Sequence, residues 1–407
     1  MSDATDHQLS SHPPVTDWTT DFDHAVDEYA ARAPEIWDEL RSACPVAHSE
    51  RYGGVWLPTR HEDVAAIAYD TEHFTSRSVV VTEGRPIAPA PRGIAPPISS
   101  DPPFHQEARR MLLPAFSPKA VNELEPYTRA YCNELLDAVA GAETFDAAVD
   151  YAQHIPVRVI AKMLGFPPED GDIFRRIVHN ALEAVDLPQE QRMMNFLTLD
   201  EYLRTQVQDH LDNPRDDLTS FLLNAEMDGE PLAPEHVGGT IALLLIAGID
   251  TTWSAIGASL WHLAANPDDL ARLVAEPALM PTAIEEFLRY YAPVTMARLV
   301  AEPVEIGGCP MQPDEWVLLP FPAANRDPEF FDRADEVVLD REVNRHAAFG
   351  LGIHRCAGSN LARMELRVAL ETFLERFPSF TLADPDAVRW SRGQVRGPRT
   401  LPVRITS

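Results

Sequence analysis

The chain has 407 residues, 45% hydrophobic and 24% charged, which is enough apolar material for a large globular core. Its formal net charge of −29 would repel a phosphate backbone and argues against general nucleic-acid binding. The first thirty residues are acidic and polar, which argues against a secretory signal. The longest clean apolar run, residues 241–247, is too short to span a bilayer, so we expect a soluble, cytoplasmic protein without membrane contact.

Amphipathic helical patterns dominate, and many begin with proline or a capping residue. They predict helices over residues 34–42, 61–69, 118–139, 151–164, 197–211, 234–264, 267–275, 282–291 and 357–377. Short strand-like stretches lie at residues 54–58, 297–306, 315–320 and 400–405. We therefore expect one mainly α-helical domain over residues 1–407, with a polar N-terminal tail over about residues 1–20 and a small β-rich portion.

Residues 79–103 form the longest stretch without periodicity and contain seven prolines. A long loop in a compact protein is usually functional or disordered, so this stretch is a candidate lid or binding loop. Arg85 and Arg92 within it could anchor a substrate carboxylate, although exposed loop cations are the simpler interpretation.

The four cysteines, Cys44, Cys132, Cys309 and Cys356, are widely spaced, which argues against a zinc site or a disulfide framework. Three are expected to be buried small apolar residues. Cys356 differs because it lies in the segment FGLGIHRCAG, residues 349–358, at the start of a predicted helix. Glycines let the backbone approach a flat partner closely, and a helix start stabilises a thiolate. Such a thiolate suits an axial ligand of iron.

This segment resembles the haem-binding loop of the cytochromes P450, and two further strings strengthen the resemblance. Glu286 and Arg289, three residues apart on one helical face, resemble the family's Glu-x-x-Arg motif, which buttresses the fold on the proximal side of the haem. The family often adds a third partner from a Pro-x-Arg-Phe-like segment, whereas residues 334–338 here read ADEVV. Arg341 or a backbone carbonyl is the candidate substitute.

The second string is AGIDTT, residues 247–252, in the middle of the longest predicted helix. Gly, Asp and Thr are poor choices there, and a hydroxyl that bonds a preceding carbonyl can widen a helix and leave room for a ligand and water. The string resembles the family's oxygen-activating motif. The resemblance implies that Asp250 relays protons and that Thr251 supplies a hydroxyl beside the oxygen.

The resemblance further implies one haem b, with Cys356 as the ligand of its iron. Haem propionates need cationic donors. Four residues match the family's propionate positions: His105, Arg109, Arg298 and His354. The residues expected to bind the cofactor are His105, Arg109, Arg298, His354, Cys356, Phe349, Gly350, Ala247 and Gly248.

As a function, the resemblance implies a monooxygenase that inserts one atom of O2 into an apolar small molecule. The alternatives are a peroxide-driven haem-thiolate enzyme and a non-catalytic haem sensor. The Asp250–Thr251 pair argues against both, because peroxide already carries the relayed protons and a passive pocket has no use for them. Pocket walls are expected from residues 79–103, 180–188, 243–251, 294–297 and 393–395. The candidate substrate contacts are Leu243, Ala247, Val294, Thr295, Met296 and Val395.

No fused reductase is expected, so electrons would come from a separate ferredoxin or flavodoxin with its NAD(P)H-dependent reductase. Because the whole protein is acidic, an acidic partner would need a local basic patch. Arg110, Arg355 and Arg363 are the expected members of that patch, and the competing interpretation is that each is an ordinary solvated arginine.

Overall fold

Helices make up most of the computed structural model, which describes residues 12–81, 93–182 and 189–406. For residues 179–182, 189–193, 195 and 196 it describes the backbone alone. The helices are α1 (Asp27–Ala43), α2 (His61–Tyr69), α3 (Phe104–Leu112), α4 (Pro118–Ala138), α5 (His154–Leu164), α6 (Gly171–Leu182), α7 (Gln189–Asp212), α8 (Leu218–Leu223), α9 (Pro234–Ala265), α10 (Pro267–Ala275), α11 (Met280–Tyr290), α12 (Phe321–Ala324) and α13 (Ser359–Arg376).

The strands are short and lie between these helices. They are β1 (Val46–Ser49), β2 (Val55–Pro58), β3 (Phe74–Thr75), β4 (Thr144–Asp146), β5 (Glu226–Met227), β6 (Glu230–Pro231), β7 (Thr295–Val300), β8 (Val304–Ile306), β9 (Cys309–Met311), β10 (Trp316–Pro320), β11 (Phe380–Leu382), β12 (Arg389–Trp390), β13 (Pro398–Thr400) and β14 (Pro402–Ile405). The predicted class, mainly α with a small β portion, is confirmed.

Helix starts follow local chemistry closely. Pro118, Pro234 and Pro267 each open a helix, where the missing N–H of proline costs nothing, and the side chain of Ser117 caps α4. Helices α2 and α10 have the predicted bounds. The predicted ranges missed α3, α6, α8 and α12, and the predicted helix over residues 151–164 begins as a π-helical turn before α5.

Two predicted strands are each interrupted. The stretch over residues 297–306 divides into β7 and β8 on either side of Pro303, which cannot donate a hydrogen bond to a ladder. The stretch over residues 400–405 breaks at Leu401. The N–H of Leu401 donates to the side-chain carboxylate of Asp146 at 2.9 Å instead of to a backbone carbonyl. The larger sheet has the order β1-β2-β10-β7-β3, in which β10 runs parallel to β2 and antiparallel to β7.

Helix α9 is the central helix of the core and packs against α5, α6 and α13. It is long and apolar enough to cross a membrane by length and composition, but 67% of its most apolar window is buried inside the protein. The loop before α3 docks on α9 at Gly239, where any Cβ would collide with the carbonyl oxygen of Ile94. Thr240 adds a hydrogen bond to the carbonyl of Pro96 at 3.0 Å. One wall of the candidate pocket is thereby attached to the central helix.

Candidate active site around Cys356

The backbone before α13 presents Cys356 through two left-handed glycines. Gly350 and Gly352 have φ angles of 71° and 67°, and a Cβ at Gly352 would collide with the carbonyl of Ala68 on α2. The N–H of Cys356 donates to the carbonyl of Phe349 at 2.7 Å, which closes the loop. Helix α13 begins at Ser359, two residues later than predicted. Cys356 therefore lies in the turn that leads into the helix.

The sulfur of Cys356 is available to a ligand. Cys356 is exposed, whereas Cys132 is buried and Cys44 and Cys309 are half-buried, so the expectation of three buried cysteines holds only for Cys132. Desolvation by the surrounding protein raises the pKa of the Cys356 thiol, against the lowering effect of the Gly358 N–H and nearby arginines. No cluster of three or more His, Cys, Asp or Glu side chains among the described residues could hold a metal ion. A metal at Cys356 would need ligands from a cofactor.

A cluster of nitrogen donors comes together from three segments: α3 supplies buried His105, β7 supplies buried Arg298 and the cysteine loop supplies half-buried His354. The rings of His105 and His354 lie 4.4 Å apart at 61°, and Nε2 of His354 lies 2.9 Å from the hydroxyl of Ser76. Burial and the neighbouring cations lower the pKa of His105 to about 4 and that of His354 to about 2. Both imidazoles are therefore neutral near pH 7.

Within the described residues, the His105 side chain has no hydrogen-bond partner, and the two arginines of this cluster bond only to backbone carbonyls. His105 is 1% exposed, and neither of its ring nitrogens has a hydrogen-bond partner. Arg298 is 5% exposed and donates to the carbonyl of its neighbour Ala297 at 2.7 Å, while burial lowers its pKa to about 10. Arg109 is half-buried and donates to the carbonyl of Arg355. Unsatisfied buried donors are costly, so this cluster fits an anionic ligand such as the propionates of haem.

The residues of α9 that are expected to line the pocket include three that repeat every four positions. Leu243 and Thr251 are half-buried and Ala247 is exposed, as expected for one face of a helix whose other faces are packed. The Thr251 hydroxyl donates to the carbonyl of Ala247 at 2.9 Å. All of α9 keeps α-helical geometry, so the predicted local widening does not occur. Gly248 lies on a different face, where a Cβ would contact Ile160 of α5 at 3.4 Å.

Asp250 is fully buried and paired with an arginine that the sequence did not single out. Arg399 of β13 places Nη2 at 2.6 Å from Oδ1 of Asp250 and Nη1 at 3.0 Å from the hydroxyl of Ser254. The two residues are 149 positions apart, and the C-terminal segment contains several other arginines. No sequence signal distinguishes Arg399 from those neighbours.

The Glu286–Arg289 pair is completely buried, and other groups take the place of the third partner that the family often adds. Arg289 binds both carboxylate oxygens of Glu286 at 2.8 Å and donates to the backbone carbonyls of Asn325, Ala334 and Glu336. Arg341 donates to Glu286 at 3.0 Å. Both candidate substitutes, Arg341 and backbone carbonyls, therefore take part.

Two of the three arginines expected to form the basic patch are paired with acids. Arg363 binds both oxygens of Glu285, at 2.6 and 2.7 Å, and stacks over Phe349 at 4.4 Å. Arg110 pairs with Glu107 at 2.8 Å, although its side chain stays 68% exposed. Arg355 is exposed, and in the described part of the chain its side chain has no ion-pair partner. The patch is thus less positive than expected, because a carboxylate offsets the charge of Arg363.

Strand β7 separates the expected substrate contacts by its alternation. Val294 and Met296 are half-buried and lie on the same side as Arg298. Thr295 is buried on the other face, where it contacts the hydroxyl of Tyr29, so the structure places its side chain away from Val294 and Met296. Val395 is buried and bridges Val294.

One glutamine joins three of the expected walls, and the sequence analysis missed it. The Gln394 side chain accepts from the N–H of Val81 at 2.7 Å and donates to the carbonyls of Val79 and Thr295 at 3.2 and 2.7 Å. Arg85, Arg92 and residues 183–188 lie outside the described residues.

Comparison with known proteins gives a consistent result. A family model described as Cytochrome P450 matches residues 172–389, which include both the α9 string and the cysteine loop. The chain is 35% identical over 367 residues to cytochrome P450 107B1 of Saccharopolyspora erythraea, covering 86% of this chain and 89% of that protein. It is 37% identical over 355 residues to nocardicin C N-oxygenase of Nocardia uniformis, with the same coverage. The crystal structure of CYP109E1 from Bacillus megaterium with testosterone matches with a TM-score of 0.86 and 30% identity, over 94% of this chain and 100% of that one.

Proposed function

This chain belongs to the cytochrome P450 family, and we propose that it binds one haem b through Cys356 and inserts one atom of O2 into a mostly apolar small molecule. Hydroxylation, epoxidation and O- or N-dealkylation are the reaction types that we include. The observation that carries the proposal is the exposed Cys356 thiol near buried His105, whose two ring nitrogens have no hydrogen-bond partner among the residues described, and near buried Arg298. A thiolate and an anion-binding cluster at the same place are what a haem requires.

Each residue around the cofactor has a distinct role in this proposal. Cys356 would bind the iron, and Arg298, His105, Arg109 and His354 would donate hydrogen bonds to the propionates. The neutral state of the two histidines leaves each with one N–H to donate and one acceptor nitrogen. When bound, haem supplies the oxidising chemistry, and the protein supplies binding, orientation and proton control.

Proton control would come from two adjacent residues of α9. Thr251 holds its hydroxyl at the pocket surface, where the hydrogen bond to Ala247 fixes the rotamer. Asp250 is buried one position away, on the face directed to β13. We assign Asp250 to the uptake of protons and Thr251 to their delivery into the pocket, since a relay needs one titratable group and one group that both donates and accepts.

The test of the cofactor assignment uses the purified holoprotein. We expect one haem per chain and a red-shifted Soret band of the ferrous–CO complex, as thiolate ligation gives. Cys356→Ser should abolish that band, while the matched control Cys309→Ser, at a half-buried cysteine outside this loop, should keep it. A Cys356→Ser protein with an unchanged band would contradict the proposal.

For the substrate we propose an apolar small organic molecule, because the pocket-facing side chains are Leu243, Ala247, Val294 and Met296. Buried Val395 forms a β-bridge with Val294 and adds a further apolar side chain. Screening a compound library for the change in haem spin state would identify binders. Product formation from a binder, with NAD(P)H, a generic ferredoxin and its reductase, would distinguish a monooxygenase from a haem sensor.

For the electron donor we propose a separate ferredoxin or flavodoxin with its NAD(P)H-dependent reductase. The proposed docking surface lies over the cysteine loop, where Arg355 is an exposed cation. Arg110 would add positive charge to this surface only after its contact with Glu107 is broken. The charge of Arg363 is offset by its pair with Glu285. The exposed charge at Arg355 supports this location, since short-range charge steers association in an otherwise acidic protein.

A further inference from the structure

The buried carboxylate of Asp250 is held by the C-terminal hairpin, in which β12 pairs antiparallel with β13. Its Oδ1 lies 2.6 Å from Nη2 of Arg399, and the side chains of the two residues are 0% and 5% exposed. A carboxylate removed from water to this degree is unfavourable unless an opposite charge and hydrogen bonds compensate it. Among the residues that the structure describes, Arg399 provides such a charge.

Arg399 is itself fixed from several directions. Its Nη1 donates to the hydroxyl of Ser254 at 3.0 Å, and its guanidinium lies 4.2 Å from the ring centre of Trp253. The segment that carries it is pressed against α9, because a Cβ at Gly397 would collide with Ser254. Strand β13 thus packs closely against α9, and Arg399 is held by contacts with Ser254 and Trp253 besides its pair with Asp250.

Two neighbouring faces of α9 are therefore used differently. One face carries Ala247 and Thr251 and borders the pocket, while the next carries Asp250 and Ser254 and faces Arg399. The carboxylate is adjacent to the hydroxyl in the chain, yet it is held on the side of the hairpin.

We propose that Arg399 is a positioning residue of the proton relay, which keeps the Asp250 carboxylate ionised and in one orientation between proton transfers. The inference rests on the proposed function, in which Asp250 takes up protons. One proton reaches the carboxylate from solvent and the same proton leaves toward the Thr251 hydroxyl, so the carboxylate and its pair with Arg399 are restored after each transfer. No further reactant is needed.

The test compares Arg399→Gln and Arg399→Lys, each made in the wild type and in Asp250→Asn. The holoenzyme is assayed with a spin-shifting compound and saturating redox partner. The readouts are kcat, its solvent deuterium isotope effect and the fraction of electrons recovered in product. We expect Asp250→Asn and Arg399→Gln each to lower kcat roughly tenfold to a hundredfold and to raise the isotope effect. Arg399→Lys should recover part of the loss, because it keeps the charge without the fork of the guanidinium.

The decisive result is the combination. If Arg399 acts through Asp250, adding Arg399→Gln to Asp250→Asn should lower kcat no further, whereas a structural effect would multiply in both backgrounds. If Arg399→Gln alone fails to fold, the double variant still avoids a lone buried ion, because it removes both charges together. The comparison with Arg399→Lys then carries the test. Arg396→Gln is the matched control, since Arg396 is in the same segment but donates to Ala30 and stacks on Trp390. It should leave the isotope effect unchanged.

Two outcomes separate the inference from the function on which it rests. If Asp250→Asn leaves kcat and the isotope effect unchanged, the relay itself is wrong, and the role of Arg399 with it. If Asp250→Asn slows turnover while the Arg399 variants are silent, or reduce kcat by the same factor in both backgrounds, the relay stands and the positioning role is refuted.

Discussion

Replacing Arg341 by methionine isolates the contribution of the third partner to the buried Glu286–Arg289 pair. In the wild type, Glu286 accepts five hydrogen bonds: two from Arg289 and one each from Arg341, Asn344 and the Val338 N–H. The substitution removes one of these and leaves the Arg289 contacts intact. The other two bonds of Arg341 go to backbone carbonyls near the surface, which water can satisfy. The cost should be that of one charge-assisted hydrogen bond, about 1.5–3 kcal/mol of unfolding free energy.

The comparison with Arg289→Met sets the scale. That change leaves Glu286 buried without its main cation and removes the donor from three backbone carbonyls, so we expect a loss of about 3–5 kcal/mol. Arg333→Met is the control at an exposed pair with Glu336, expected to cost about 0–1 kcal/mol. Urea unfolding of the holoprotein, followed by circular dichroism, measures all three. Equal losses for Arg341→Met and Arg289→Met, or no difference from Arg333→Met, would refute this account of the network.

Thr251→Ala should bind substrate and accept electrons but release oxygen as hydrogen peroxide, so the ratio of product formed to NAD(P)H consumed should fall. An unchanged ratio would contradict the delivery role. Thr252→Ser, at a buried position, is the control. Arg355→Ala should raise the ferredoxin concentration needed for half-maximal reduction, more at low salt than at high salt, in stopped-flow experiments; rates that ignore both salt and substitution would move the docking surface elsewhere. Despite desolvation, Arg363 and His346 lower the pKa of Glu285 to about 2 from 4.5. Its contribution to stability is therefore full above about pH 4.5 and lost as the pH falls toward 2, and Glu285→Gln should flatten that part of the pH profile of the unfolding midpoint.

Local chemistry explains why much of the fold was predictable. The bounds of α2 and α10 follow from periodicity and from residues at the helix ends. The Cys356 loop was predictable because the left-handed turn at Gly352 requires glycine, and the glycines of this segment can be read directly from the sequence. Features of this kind depend on residues within a few positions of each other.

The features that were missed depend on contacts between distant segments. Arg399 meets Asp250 from 149 positions away, and Arg363 meets Glu285 from 78 positions away. Nothing near Arg363 in the chain shows that a carboxylate will offset its charge. Thr295 faces away from Val294 and Met296 because of the register of β7 with β10, which the sequence of β7 alone does not contain.

The hydrogen bonds of Gln394 have a practical consequence for redesign of the pocket. Its single amide ties the chain before the docked loop, at Val79 and Val81, to the end of β7 at Thr295. Loop grafting or saturation libraries that treat these walls as independent modules would break shared bonds in most clones. Libraries that keep Gln394 and vary Val294, Met296 and Val395 together should yield a larger share of folded, haem-loaded variants.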